Sequence, residues 1–440
     1  MTADSSRALV RRAATGARTA AHRTFRSLYV RNYRLYFVGQ AVSLTGTWMQ
    51  SIAQAWLVLQ LTHSGVAIGV TLALQFGPVL LLGAWGGVVA DRRDKRLLLV
   101  VTQSAMAALA LTLGLLVVTG VVRPWMVFAL AGSLGLVTAF DNPARQSFVI
   151  EMVGTADLPN AVSLNSVLMN VARIFGPAIA GALIATVGTG PCFLVNAGSY
   201  LGVIAALWLM RPDQLRPAER THRGRGQLRE GLRYAISTPE LRRPLLLMAV
   251  VGTFGFNFST LLPLFATHSI HAGAGGFGAL FSVMGLGAVA GGLAMAFRGR
   301  ATDRLLVLSA LLFGGALALI AVAPDLPLAL LAMLPSGVAN TLFISNSNSL
   351  LQERAAPSMR GRVMSLWAVV FLGTTPLGAP LVGWVAEALS PRAALALAGL
   401  LVAAAATATG VGLRRTARAR VAPGRADLGM RPLEPAAREA

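Results

Sequence analysis

The chain has 440 residues, of which 55% are hydrophobic and only 12% charged, with a formal net charge of +21 and a mean hydropathy of +0.65. A soluble domain carries about 25% charged residues, so a soluble globular fold is excluded. The arginines lie in short segments between apolar runs, so the charge reads as membrane topology and not as a nucleic-acid surface.

Residues 1–34 are arginine-rich and lack an apolar core. The apolar run that begins at Leu35 is about 27 residues long, too long for a signal-peptide core. Residues 1–34 are therefore expected to be a cytosolic tail. Its Arg23, Arg26, Arg31 and Arg34 either lie on anionic lipid or belong to a free tail.

A helix needs about 20 mainly apolar residues to cross a bilayer. The stretches 35–61, 66–90, 97–120, 124–141, 160–187, 191–210, 244–267, 276–297, 304–323, 326–350, 362–389 and 392–413 have that character. Links such as 62–65 and 121–123 are so short that their neighbours must be antiparallel. The expected fold is an all-α polytopic membrane protein with twelve transmembrane helices in two six-helix bundles, 35–210 and 244–413. A polar central loop, 211–243, joins them, and 414–440 form a second tail. Residues 228–236 have the pattern of a short amphipathic helix.

With the N-terminus inside, every one of the 38 basic residues falls in a cytosolic segment except Arg123, Arg392 and Arg173. The positive-inside rule then places the chain in the inner (plasma) membrane with both termini cytosolic. The lone Cys192 excludes an intrachain disulfide and a cysteine metal cluster. The five histidines do not converge, so no metal site and no enzyme centre is expected, and no cofactor is implied. No nucleotide-binding P-loop occurs, which excludes an ATP-driven pump in this chain alone.

The loop after the second span reads Gly87-Val-Val-Ala-Asp91-Arg92-Arg93-Asp94-Lys95-Arg96. It resembles the loop of the major facilitator superfamily, G-x-x-x-D-R-x-G-[RK]-[RK], with Asp94 standing where that family has glycine. The resemblance covers essentially the whole chain. It implies alternating access, proton coupling and a monomer. Gly87, Asp91, Arg92 and Lys95 are read as a latch between the halves, with solvated topology charges as the other reading. Arg298-Gly-Arg-Ala-Thr-Asp303-Arg304 is a degraded echo in the second half.

After the fourth span, Asp141 precedes Asn142-Pro143 and faces Arg145 at i+4. The expectation is a helix end at this proline. Asp141, Arg145 and Asp91 either form one charge network or make an ordinary cap and turn. This segment, with Asn160-Ala-Val-Ser-Leu-Asn165, is similar to the superfamily branch of the enterobactin exporter and macrolide efflux pumps. In span 5, Arg173 precedes Gly176, Pro177 and Gly181, a run that resembles the Gly-Pro motif of superfamily antiporters. Arg173 either gates or contacts substrate, or it snorkels to the cytosolic interface. Segments containing glycine and proline recur in corresponding places of the two halves, at Phe175–Gly181 and Thr375–Gly383.

Polar residues inside spans mark a candidate cavity: Gln50 and Gln54 on one helix face, with Trp56 nearby, then Asn257, Asn340 and Asn346. Interhelical hydrogen bonding is the other reading of the same residues. Span 1 has no carboxylate, which leaves Asp91, Asp141 and Glu387 as proton-carrier candidates. The expected function is secondary active export of small amphipathic molecules, with nutrient or lysolipid import as the alternative. The expected partners are the lipid bilayer, an amphipathic small molecule and a proton.

Overall fold

The computed structural model describes residues 24–216 and 227–421. Most of the two tails and part of the central loop lie outside the described residues. In chain order the helices are α1 (Arg31–Thr62), α2 (Gly65–Arg92), α3 (Lys95–Val118), α4 (Pro124–Val187), α5 (Gly190–Leu209), α6 (Gln227–Ser237) and α7 (Pro239–Val250). They continue with α8 (Phe258–Leu264), α9 (Gly273–Arg298), α10 (Asp303–Val322), α11 (Leu326–Arg354), α12 (Arg360–Ala388) and α13 (Pro391–Val421).

Among the described residues, ten helical stretches are long and apolar enough to cross a membrane, α7 and α8 counting as parts of one, Pro239–Ser269. At 64 residues α4 is far longer than one crossing requires, and it turns at Gly154, so it crosses twice. Helix α1 has the length, at 32 residues, but seven polar residues between Gln40 and Gln54 keep it outside the apolar set. Twelve crossings result, six on each side of the central loop.

The turn in α4 lies later than the expected proline break. The helix continues through Pro143 and bends at Gly154, where φ is 73° and ψ 178°. Only glycine takes that conformation without strain. Pro143 leaves the Ala139 carbonyl without its helical donor, and Gly86 of α2 packs directly on that carbonyl.

The seventh crossing is broken. A π-turn at Val251–Gly255 follows α7, the chain opens at Phe256 and Asn257, and a second π-turn, Phe265–Ser269, follows α8. Such local unwinding inside a crossing is tolerated where protein surrounds it. Phe258 and Phe265 are buried in the apolar core between the halves.

Small residues let the halves touch at the face opposite the basic loops, where α2 begins and α12 ends. A Cβ on Gly69 would lie 2.5 Å from the Ala379 carbonyl oxygen, and one on Gly278 2.5 Å from the Pro177 carbonyl oxygen. Without a hydrophobic force between helices in lipid, such close backbone approach supplies the packing. Glu387 Oε1 accepts the backbone N–H of Val66 at 3.0 Å across the same seam. At the basic face, Arg92, Arg93 and Asp94 on one half and Arg360 on the other are exposed.

Candidate functional site

Helix α1 carries a polar stripe at Gln40, Ser43, Thr47, Gln50 and Gln54, spaced by three and four residues and so set on one face. This face opens on a cavity of about 360 Å³ lined by Thr47, Trp48, Gln50, Gln54, Gln75, Arg145 and Tyr200 among others. Gln50 Oε1 accepts from Asn196 Nδ2 at 2.6 Å. Gln54 Nε2 donates to Gln75 Oε1 at 3.3 Å. Each glutamine is therefore held by another helix and still lines the cavity. Ser259 is the lining residue from the second half.

Asp141 is fully buried, at 0% exposure. Its Oδ1 accepts from Thr102 Oγ1 at 2.7 Å and Gln103 Nε2 at 2.8 Å. Its Oδ2 pairs with Arg145 Nη2. Arg145 Nη1 also donates to Gln40 Oε1 at 3.4 Å, while its buried Nε has no hydrogen-bond partner. A buried charge is stable only when paired and hydrogen-bonded. This site gives both carboxylate oxygens partners and leaves the Arg145 Nε, itself buried, without one, while the residue lines the cavity.

Asp91 does not join that pair, and the expected three-residue network is corrected on this point. Helices α2 and α4 run side by side with Gly86 level with Ala139. At a rise of about 1.5 Å per residue, Asp91 sits some two residues or more nearer the basic face than Asp141. Asp141 also faces α3, through Thr102 and Gln103. Among the described residues Asp91 has no hydrogen-bond or ion-pair partner, and Arg92 is exposed. Gly87 is buried beside Gly86.

Lys95 turns away from Asp91 as well. It pairs with Glu151 at 2.5 Å, the two side chains being 10% and 12% exposed. Asp94 explains the turn. It is the N-cap of α3, its carboxylate accepting from the Leu97 N–H at 3.1 Å, with φ −61°. No positive φ is needed there, so the family's glycine is dispensable in this chain. In the echo loop, Asp303 receives both Nη1 and Nη2 of Arg354, at 2.9 and 2.7 Å.

Arg173 lies with its guanidinium 5.1 Å from the ring centre of Trp48, a cavity-lining residue. A cation over an aromatic face is a partner that needs no counter-charge. A Cβ on Gly176 would lie 2.5 Å from the Trp48 Cβ, so that glycine sets the spacing of α4 on α1. Beside Pro177, Ser282 of the second half donates to the Ile174 carbonyl at 2.9 Å. Arg173, Gly176 and Pro177 thus stand where α1, α4 and α9 meet.

The remaining cavity candidates are placed elsewhere. Trp56 stacks on Phe277 across the seam, at 5.9 Å and 22°. Asn257 donates to the Thr253 carbonyl at 2.6 Å and mends the broken crossing. Asn346 clamps both backbone groups of Thr302 at 3.0 Å. Asn340 has a buried Oδ1 without a hydrogen-bond partner and does not line this cavity. Amides inside a span serve freed backbone groups as readily as a ligand, and composition does not separate the two uses. Gln75, Thr102, Gln103, Glu151 and Asn196 were missed, because their partners lie on other helices.

The family model for transmembrane secretion effectors matches residues 22–426. The chain belongs to the major facilitator superfamily, in that transmembrane secretion effector family. The superfamily member is 25% identical to the staphyloferrin A transporter of Staphylococcus aureus over 80% of this chain and 89% of the relative. It is 28% identical to the multidrug efflux pump Tap of Mycolicibacterium fortuitum over 78% and 86%. It is 23% identical to the enterobactin exporter EntS of Citrobacter koseri over 83% and 88%. The fold matches the crystal structure of a bacterial homologue of the human lysosomal transporter Spinster with a TM-score of 0.70, over 89% of this chain and 99% of that one, at 15% identity. This superfamily member is a multi-pass membrane transporter and not an enzyme.

Proposed function

We propose that the chain is a secondary active exporter of small amphipathic molecules, such as drugs, siderophores or secondary metabolites, driven by proton antiport. The carrying observation is the cavity on the first half. Its amides, Trp48, Tyr200 and Arg145 suit a bulky, mostly apolar solute with hydrogen-bonding groups. Two named relatives handle siderophores and one is a drug efflux pump. The basic face is cytosolic, with both termini on that side, and the transporter works as a monomer. The domain bounds are 35–210 and 244–413, linked by 211–243.

Asp141 is the proton carrier in this reading. A proton on its carboxylate would cancel the attraction to Arg145 and let that guanidinium leave the place on the cavity wall where it meets substrate. Binding of substrate and proton then exclude each other, which is what antiport requires. In this reading the contacts of Gly69 with Ala379 and Gly278 with Pro177 lie at the outer face and belong to the inward-open state. Counting equal steps along antiparallel α2 and α12 from the Gly69–Ala379 contact brings Asp91 level with the chain just before Arg360. Asp91 latches onto that helix start when the inner face closes.

The test is accumulation of a panel of labelled hydrophobic antibiotics, dyes and siderophores in a host without its own pumps. Expression of the wild type should lower accumulation of at least one of them, and a protonophore should restore it. Raised accumulation would reverse the direction to import, and an unchanged panel would remove this substrate class.

A further inference from the structure

Arg304 occupies in the second half the place of Arg96 in the first, next to Asp303 as Arg96 is next to Lys95. Arg96 is engaged at the end of α5. Its Nε donates to the Leu207 carbonyl at 2.7 Å and its Nη2 to the Trp208 carbonyl at 3.2 Å, with the guanidinium 5.8 Å from the Trp208 ring centre. It thereby covers the carbonyl end of α5. The counterpart of α5 is α13, which does not end at that level but runs on to Val421. No carbonyl end is available to Arg304. It is exposed and, among the described residues, has no hydrogen-bond or ion-pair partner; the same holds for Arg414 on α13.

A cavity of about 990 Å³ lies between these two arginines. Arg243 and Arg354 also line it, against the carboxylates of Glu240 and Asp303, and Asp303 is already engaged by both terminal nitrogens of Arg354. The net charge of the walls is positive. One to two turns deeper the wall becomes Val307, Leu308 and Leu311 of α10. Leu308 is 46% exposed, and Leu312 and Leu319 continue the outward apolar face of the same helix. A cationic mouth above an apolar helix groove, at the level where the basic loops meet the membrane, is complementary to an anionic amphiphile. Guanidinium matches phosphate in a bidentate fork, and basic pockets between transmembrane helices hold anionic headgroups.

We propose that this cavity binds one anionic glycerophospholipid from the leaflet at the basic face. The phosphate lies between Arg304 and Arg414, and an acyl chain runs along Val307, Leu308 and Leu311. The bound lipid takes the place that the Arg96–Trp208 closure fills in the first half, and so braces α10 against α13. The site is separate from the amide-lined cavity and does not depend on the direction of transport.

Native mass spectrometry of the full chain in detergent tests this with three probes: phosphatidylglycerol, phosphatidylcholine of the same acyl chains, and glycerol 3-phosphate. The wild type should carry one phosphatidylglycerol, preferred about tenfold or more over phosphatidylcholine, and no glycerol 3-phosphate at the same concentration. The R304Q/R414Q chain should bind phosphatidylglycerol about 25-fold more weakly, since a basic residue near an anionic surface is worth about fivefold. The R34Q/R93Q chain loses the same charge from exposed sites of the first half and should bind as the wild type does. The L308E chain, with a carboxylate on the apolar wall, should also lose the lipid. Equal adducts for both phospholipids, or wild-type binding by R304Q/R414Q or L308E, would overturn the site. Glycerol 3-phosphate bound as tightly as phosphatidylglycerol would overturn the lipid and leave a soluble phosphate as ligand.

Discussion

Lys95 and Glu151 pair at 2.5 Å across the basic end of the first half, and the second half sets Asp303 and Arg354 in the corresponding places with the charges exchanged. The partners are 56 residues apart in one half and 51 in the other. In each case a residue at the start of the third crossing of the half is tied to one near the end of the fourth. The repeat therefore preserves the bond and not the sign of either residue. This is why Arg298-Gly-Arg-Ala-Thr-Asp303-Arg304 reads as a degraded echo in sequence while keeping its structural use.

The exchange gives a double-mutant test. Glu151→Gln leaves Lys95 nearly buried without a counter-charge and should lower stability by about 3 kcal/mol. The reversed pair Lys95→Glu with Glu151→Lys reproduces the polarity of Asp303–Arg354 and should recover more than half of that loss. Thermal unfolding of the detergent-solubilised chain and its variants checks both.

Asp94 caps α3, so its replacement separates cap from motif. Asp94→Ala should cost about 1 kcal/mol, and Asp94→Gly, which restores the family's residue, only a few tenths. Neither should change substrate flux. A melting series beside a transport assay reads the two effects independently.

The seam at the face opposite the basic loops offers a conformational test. A side chain on Gly69 meets the backbone of Ala379 and Pro380 at 2.5 Å. Gly69→Leu should therefore prevent closure there and shift the population toward the outward-open state. A cysteine at Ser51, which lines the cavity, reports this in a Cys192→Ala background. An impermeant thiol reagent applied from the face opposite the basic loops should label Ser51→Cys at least fivefold faster when Gly69→Leu is present.

Arg145 should divide binding from coupling. Arg145→Lys keeps a charge beside Asp141 but loses the guanidinium fork, so substrate affinity should fall about tenfold while flux stays dependent on the proton gradient. Equilibrium binding of the solute chosen by the accumulation panel, paired with transport, measures the two separately.

Much of this was legible in the chain. The crossings follow from apolar runs of membrane length, and the polar stripe Gln40, Ser43, Thr47, Gln50, Gln54 follows from helical spacing. Asp141 and Arg145 are four residues apart on one helix, so their pairing is local information. What stayed hidden depends on which helices are neighbours: Thr102 and Gln103 on Asp141, Asn196 on Gln50, Glu151 on Lys95. The break in α4 was misplaced at Pro143: the helix continues through that proline, with Gly86 of α2 packed on the freed Ala139 carbonyl, and turns at Gly154, where φ is 73°. Asn257 and Asn346 looked like ligand amides because a side chain that mends a backbone and one that waits for a solute have the same composition.

The most direct measurement is solute flux in proteoliposomes with an imposed pH gradient, comparing the wild type with Asp141→Asn. The solute is the one whose accumulation the wild type lowers most. The account predicts gradient-driven flux in the wild type, at least tenfold less in Asp141→Asn, and retained solute binding in both. Flux that ignores the pH gradient, or equal gradient-driven flux in Asp141→Asn, would contradict it.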